Sequence, residues 1–323
     1  MRASSAGAVH VVVITDSSNP QRRTPCTKLP LWANLLHSIF AYASRAVTGH
    51  VFHCGRGAKA VTTSGADRAV LAAAARTRSA LNKEDCQPLR RAHAEFVNRT
   101  RFHTTHYSAS FTMLKLFAPS HLVASGAVAR GGDSIFSIDE DVEVFDDLTH
   151  LARVPSVGPV SQVGARGAPH PPDLSLICPI DRRRCANPAY QALLPCLLDM
   201  RYCQGGFVRV RAASSARVVA ALTEIAAELR ALPGYVSTVA DQDLINLLYR
   251  TYPSNVSLIS CEWGCASGPV PATSARIFNI SAVYNSPLRC EARCRAVHYT
   301  HGAWRTLSGG SLGANRSLIT AAC

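Results

Sequence analysis

No stretch of this 323-residue sequence approaches the ~20 consecutive apolar residues of a membrane span. Residues 8–14 are apolar but too short, and neither a charged leader nor a cleavage site accompanies them. Charged residues make up only 17% against 47% hydrophobic, which excludes a disordered chain and allows a large core. Acidic residues are scarce: 21 Asp+Glu face 34 Lys+Arg, for a formal charge of +13. That balance suits an anionic partner. Apart from Arg182-Arg183-Arg184 the basic residues are scattered, and a nucleic-acid footprint would form a patch or stripe, so no nucleic acid is expected.

Cys-x2-Cys, the commoner zinc spacing, is missing, although Cys261-x3-Cys265 and Cys290-x3-Cys294 could together supply four thiolates. The 12 cysteines are even in number and partly local, with Cys178/Cys185, Cys196/Cys203, Cys261/Cys265 and Cys290/Cys294 as near neighbours. Asn-x-Ser/Thr sequons stand at Asn98, Asn255, Asn279 and Asn315. Together these features favour disulfides and a secretory lumen, Golgi or endoplasmic reticulum, with any membrane attachment through an anchor absent from this sequence.

The chain opens with a β-branched strand over residues 8–15, a turn cluster from Asp16 to Pro20, a helix over 31–45 and a strand over 49–53. This is the βαβ start of a parallel sheet. An alanine-rich helix is expected over 67–81, an irregular charged stretch with a short helix over 82–107, and a helix over 109–117 ended by Pro119. Residues 153–189 show no periodicity and read as a long loop. Beyond it come a Gly-Gly turn and strand over 202–210, a helix capped by Ser214 or Ser215, a helix opening at Asp241, and strands over 256–260 and 276–283. Residues 261–275 read as a loop and residues 296–305 close the ordered pattern.

The organising stretch runs from Gly132 to Val142. Ser134 to Ile138 reads as a buried strand that ends abruptly in Asp139-Glu140-Asp141. In an extended chain Asp139 and Asp141 share one side and Glu140 points away. Ligands bind at the carboxyl ends of strands in open α/β sheets, and two carboxylates there suit Mg²⁺ or Mn²⁺ together with phosphate oxygens. A solvated acidic turn has the same local pattern. Capping is likewise the default role for Asp241 and Asp243, at the start of their helix.

Four pieces occur in a telling order: Lys115-Leu-Phe-Ala-Pro119, the strand ending in Asp139-Glu140-Asp141, Asp241-Gln242-Asp243-x-x-Asn246, and a late His301-Gly302 with aromatic and basic neighbours. In this the chain resembles the family 8 retaining glycosyltransferases, the glycogenin-like group, and within it the glucoside xylosyltransferases. The resemblance implies an α/β nucleotide-sugar transferase fold over residues 8–305, with a mainly parallel sheet, a small antiparallel C-terminal addition and a loose tail at 306–323. It implies a UDP-sugar donor, transfer of xylose or glucose to a glycan or glycoprotein acceptor, and dependence on Mn²⁺ or Mg²⁺. By position, Asp139 and Asp141 match the metal-binding pair, with His301 as the third ligand. Asp241 and Gln242 match the acid-amide pair beneath the sugar. Lys115 stands where the family has an arginine, and Gln204-Gly205-Gly206 where it has Asn-Ala/Ser-Gly at the donor sugar. Thr15, Asp16, Gly302 and Arg305 fall near the nucleotide and its phosphates. His298 is a rival for His301, because some relatives carry His-aromatic-x-Gly. An odd spacing in a strand lets only one of the two face the metal, and the neighbouring Gly302 favours His301. A non-catalytic protein that keeps the fold, or a basic nucleic-acid-binding protein, is the alternative, motivated by Lys115 and Gln204.

Overall fold

A computed structural model describes residues 7–16, 29–55, 65–104, 109–129, 131–153, 174–180, 202–230, 240–252, 256–259, 263, 265–267 and 295–299. Among the described residues ten strands are arranged in two sheets: β1 (Val9–Thr15), β2 (Val47–His53), β3 (Ala80–Asp85), β4 (Ser134–Ile138), β5 (Val142–Val144), β6 (Leu174–Ile180), β7 (Tyr202–Arg211), β8 (Val256–Ile259), β9 (Cys265–Ser267) and β10 (Ala296–Tyr299). The larger sheet has the order β3-β2-β1-β4-β7-β6-β8. Strands β3, β2, β1 and β4 are mutually parallel, β7 is antiparallel to both neighbours, and β6 pairs parallel with β8. Because β7 runs backwards, its first residues arrive at the carboxyl ends of β1 and β4, where Ile138 pairs with Phe207.

Alternation along the strands divides the core in two, since successive side chains leave opposite faces. Val12, Phe52, Ile135, Val208 and Val210 pack under the helices Gln87–Thr100, Leu114–Ala124, Ser215–Arg230 and Asp241–Thr251. Val11, Val13, Val51, Phe136 and Phe207 pack under Leu31–Tyr42 and Gly65–Ala75. Fully buried rings such as Phe40, Phe52 and Phe136 each contribute about 1.5–3 kcal/mol of hydrophobic stabilisation. Both faces are covered, as a largely parallel sheet requires.

The second sheet has the order β5-β10-β9, antiparallel between β5 and β10 and parallel between β10 and β9. A disulfide joins Cys54 and Cys86, just past the carboxyl ends of β2 and β3, with 5.2 Å between Cα atoms. It is none of the local pairs suggested by spacing, each of which involves residues outside the described set.

Four expectations change. The irregular stretch after residue 81 contains β3, an edge strand whose polar sequence Ala-Leu-Asn-Lys-Glu-Asp hides the strand signal. The structureless loop contains β6, and residues 261–275 contain β9. Pro119 does not end a helix but lies inside Leu114–Ala124. A proline there has no N–H for the carbonyl four residues back, that of Lys115, and the Ser137 hydroxyl donates to that carbonyl instead, at 3.2 Å. The strand expected over 276–283 and the tail lie outside the described residues.

Candidate active site

The site lies where β4 stops. The Asp139 N–H donates to the Gly206 carbonyl at 2.8 Å, which holds the turn Asp139-Glu140-Asp141 against the start of β7. Immediately after Asp141, β5 begins, and β10 pairs with it so that His298 stands opposite Val142. This register sets His298 Nε2 3.3 Å from Asp141 Oδ1. One ligand atom from each of Asp139, Asp141 and His298 lies within 4.8 Å of the others.

Lys115 enters from the first turn of Leu114–Ala124. Its ammonium lies 2.7 Å from Asp139 Oδ1 and 2.9 Å from Asp241 Oδ2, with the side chain 4% exposed. Burial alone would favour the neutral amine, but the charges of Asp139 and Asp241 outweigh it and hold the lysine pKa above its ordinary value. Asp241 is the first residue of its helix and also accepts a hydrogen bond from Thr112. It does not cap the helix: the N-cap position is Ala240, at φ 47°, without a side-chain cap. The helix start is thus spent on presenting a buried carboxylate to Lys115. Gln242 follows, and its Oε1 accepts the Gly205 N–H at 3.2 Å. Asn246 Nδ2 donates to the Gln242 carbonyl at 2.7 Å, one turn on.

Both glycines at the start of β7 are required by close approach. A Cβ on Gly205 would collide with the Asp241 carboxylate and sit 3.5 Å from Lys115 Nζ. A Cβ on Gly206 would lie 2.7 Å from His298 Cε1, 2.8 Å from its Nδ1 and 3.3 Å from Asp139 Oδ2. The backbone has left its side-chain space to the acid-histidine group.

Two carboxylates and an imidazole suit Mn²⁺ and, less completely, Mg²⁺, which prefers oxygen alone. The residues fit a divalent ion: the donor atoms converge, and a missing Cβ keeps the space between Asp139 and His298 open. Burial tends to discharge His298, yet Asp141 and Asp139 push its pKa upward, the mark of a cluster that draws positive charge.

The structure thus brings together Asp139, Asp141, Lys115, Asp241, Gln242 and Gly205. Thr15, buried, and Asp16 end β1 at the same edge of the sheet; the Thr15 carbonyl accepts the Cys54 N–H at 2.8 Å. Gln204 is placed only by its backbone in β7. His301, Gly302 and Arg305 lie outside the described residues. Among the described residues it is His298, the rival, that joins the two aspartates. Gly206 joins them as the last residue of the Gln204-Gly205-Gly206 motif. Thr112 and Ser137 were not anticipated, and neither leaves a signal in the sequence.

The fold that carries this cluster is a glycosyltransferase fold. The structure of mouse xyloside xylosyltransferase 1, without ligand, superposes with a TM-score of 0.58 at 13% identity, over 91% of this chain and 98% of that one. That of WbbM, a bifunctional glycosyltransferase, superposes with a TM-score of 0.53 at 16% identity, over 93% of this chain and 47% of that one. No protein-family model matches the sequence. None of the curated proteins matches it either. The resemblance to the family 8 enzymes therefore holds at the level of the fold.

Proposed function

We propose that the chain is a retaining glycosyltransferase that moves a sugar from a UDP-sugar to a glycan or glycoprotein with Mn²⁺ or Mg²⁺, xylose or glucose being the sugar the motifs favour. The observation that carries this reading is the convergence of Asp139, Asp141 and His298 beside the Lys115–Asp241 pair at the carboxyl end of a glycosyltransferase-fold sheet. Asp139, Asp141 and His298 hold the ion. When bound, it offsets the negative charge that grows on the departing diphosphate. Lys115 adds a second positive charge beside it. Asp241 and Gln242 present oxygens toward the sugar carbon, which becomes cationic as its bond to the diphosphate breaks. Gln242 is oriented for this by the Gly205 N–H and Asp241 by Lys115. The Gly205-Gly206 backbone admits the donor closely. Thr15 and Asp16 line the nucleotide side, Gly302 and Arg305 are assigned to the phosphate side, and His301 is assigned by its motif to the metal side.

The catalytic domain is assigned to residues 8–305 and the tail to 306–323. A secretory lumen is the assigned compartment, supported by the Cys54–Cys86 disulfide, since such bonds persist in oxidising compartments. No helix among the described residues is long and apolar enough to cross a membrane.

The test is a panel of UDP-sugars incubated with the purified chain, with and without Mn²⁺. Release of UDP from at least one donor, dependent on Mn²⁺ and lost in Asp139→Ala, is the expected result. No turnover and no UDP binding across the panel would overturn the reading in favour of a non-catalytic protein that keeps the fold.

A further inference from the structure

Lys115 touches the site at two places that serve different purposes. Its ammonium takes Asp139 Oδ1 on one side and Asp241 Oδ2 on the other. The other oxygen of Asp139, Oδ2, faces the space left by the missing Gly206 side chain, beside the His298 ring. One carboxylate is therefore divided, with Oδ1 toward the ammonium and Oδ2 toward the metal ligands. The lysine is also fixed in place. Ser137 satisfies the Lys115 carbonyl that Pro119 leaves without a helical partner, and Gly205 leaves room for the Lys115–Asp241 contact.

A divalent ion at Asp139 and a buried ammonium at Asp139 draw on the same negative charge, and they repel each other. Because Lys115 and Asp241 are buried while Asp139 is part-exposed, the repulsion is only partly screened. Asp241 offers the ammonium a second place to rest, on the side away from Asp141 and His298.

We propose that Lys115 is a positioning residue that couples the two halves of the site: it turns Asp139 so that Oδ2 alone meets the metal, competes with the metal for that carboxylate, and shifts toward Asp241 when the metal binds. This rests on the reading of Asp139, Asp141 and His298 as the metal site. It makes Asp241 the ammonium's relief as well as the sugar's neighbour. Metal arrival then strengthens the Lys115–Asp241 contact and fixes the carboxylate beneath the sugar at the moment the donor can bind.

The test is Mn²⁺ binding by the full chain without donor, read from the electron paramagnetic resonance signal of free Mn²⁺, with melting temperature as the check on folding. Lys115→Met should bind Mn²⁺ roughly tenfold more tightly than the parent. Lys115→Arg, which keeps the charge, should stay close to the parent. Asp241→Asn should weaken binding in the parent, because the ammonium then rests wholly on Asp139, and should weaken it much less in the Lys115→Met background. Binding by Lys115→Met that equals or falls below the parent overturns the competition. An Asp241→Asn effect as large in the Lys115→Met background as in the parent overturns the coupling. If Lys115→Met does not fold, Lys115→Arg and Asp241→Asn decide: parent-like binding by both overturns the proposal, and weakening by Asp241→Asn alone supports it. Absence of Mn²⁺ binding by both the parent and a folded Lys115→Met would instead remove the metal-site reading, and the proposal with it.

Discussion

Toward the carboxyl end of the central sheet, Lys115 lies between Asp139 and Asp241, with Asp141 and His298 alongside. Toward the amino ends of β1 and β4, a second buried group crosses three strands. His50 Nδ1 lies 2.8 Å from Glu84 Oε1, His10 Nδ1 lies 3.1 Å from His50 Nε2, and His10 Nε2 lies 3.5 Å from Asp133 Oδ2. If His50 donates to Glu84, its Nε2 is left to accept from His10 Nδ1, and His10 Nε2 then bears a lone pair. Asp133 accepts the Ala8 N–H on Oδ1 at 2.8 Å and sets its other oxygen beside the ring. Burial pushes both histidines toward the neutral form, against the opposing pull of Glu84 on His50 and of Asp133 on His10. Neutral rings leave the row with one carboxylate at each of its two ends, Glu84 and Asp133. The site gathers three carboxylates around one ammonium and one imidazole, and two of them converge with the imidazole on one space, with ligand atoms within 4.8 Å of one another. What separates a reactive end from a structural one in this sheet is that negative charge converges there on a single point, not the mere burial of ionisable groups.

The sharpest way to break that contrast is to remove a carboxylate from the reactive end. Asp139→Ala is expected to cost at least ~100-fold in Mn²⁺ affinity, with UDP release falling alongside. Retained Mn²⁺ binding in this variant would show that the excess charge serves something else. Gly206→Ala tests the space instead of the charge. Its methyl would press on the His298 ring and Asp139 Oδ2, so Mn²⁺ affinity should fall roughly 10–100-fold.

The histidine row and the disulfide should report on stability alone. Cys54→Ser with Cys86→Ser opens a cross-link of sequence separation 32 and should cost about 3–4 kcal/mol in denaturant unfolding. The smallest effect concerns pH. The folded pKa values of His10 and His50 lie below the ordinary histidine value of 6.5, so below that pH the unfolded chain binds protons more readily than the folded one. Their contribution is present above about pH 6.5 and is lost as pH falls. The melting temperature should drop on going from neutral to mildly acidic buffer, and His50→Gln should flatten that slope by roughly 2–4 °C. An unchanged slope would mean that the row keeps its protons on acidification as it does at neutrality.

How much of this was readable in advance follows from the kind of signal each element leaves. β1 and β4 are apolar on both faces and announced themselves, as did the helices Ser215–Arg230 and Asp241–Thr251. β3 is an edge strand with a polar sequence, and its pairing with β2 is a tertiary fact. Pro119 misled because its helix survives on a hydrogen bond from Ser137, a residue of another element. In the site, Asp139 and Asp141 were legible because they lie on one strand exit and share a side by parity alone. Lys115 was legible only through the motif around it. Asp241 looked like a helix cap, and only the placement of Leu114–Ala124 shows that it answers Lys115. The choice between His298 and His301 turned on local spacing, whereas the place of His298 is set by the pairing of Val142 with β10 across nearly half the chain.

That long-range pairing has a consequence for the order in which the protein is made. Strand β5 begins one residue after Asp141, but its partner β10 is synthesised more than 150 residues later. A growing chain can therefore assemble β1 to β4, and with them both aspartates and Lys115, long before His298 exists. During that interval the carboxylates have the lysine as their ready-made cation, and the acidic turn need not wait bare for the rest of the chain. Strand β10 then does more than pair with β5: it marks the point in biosynthesis at which a pocket that was merely folded acquires its histidine.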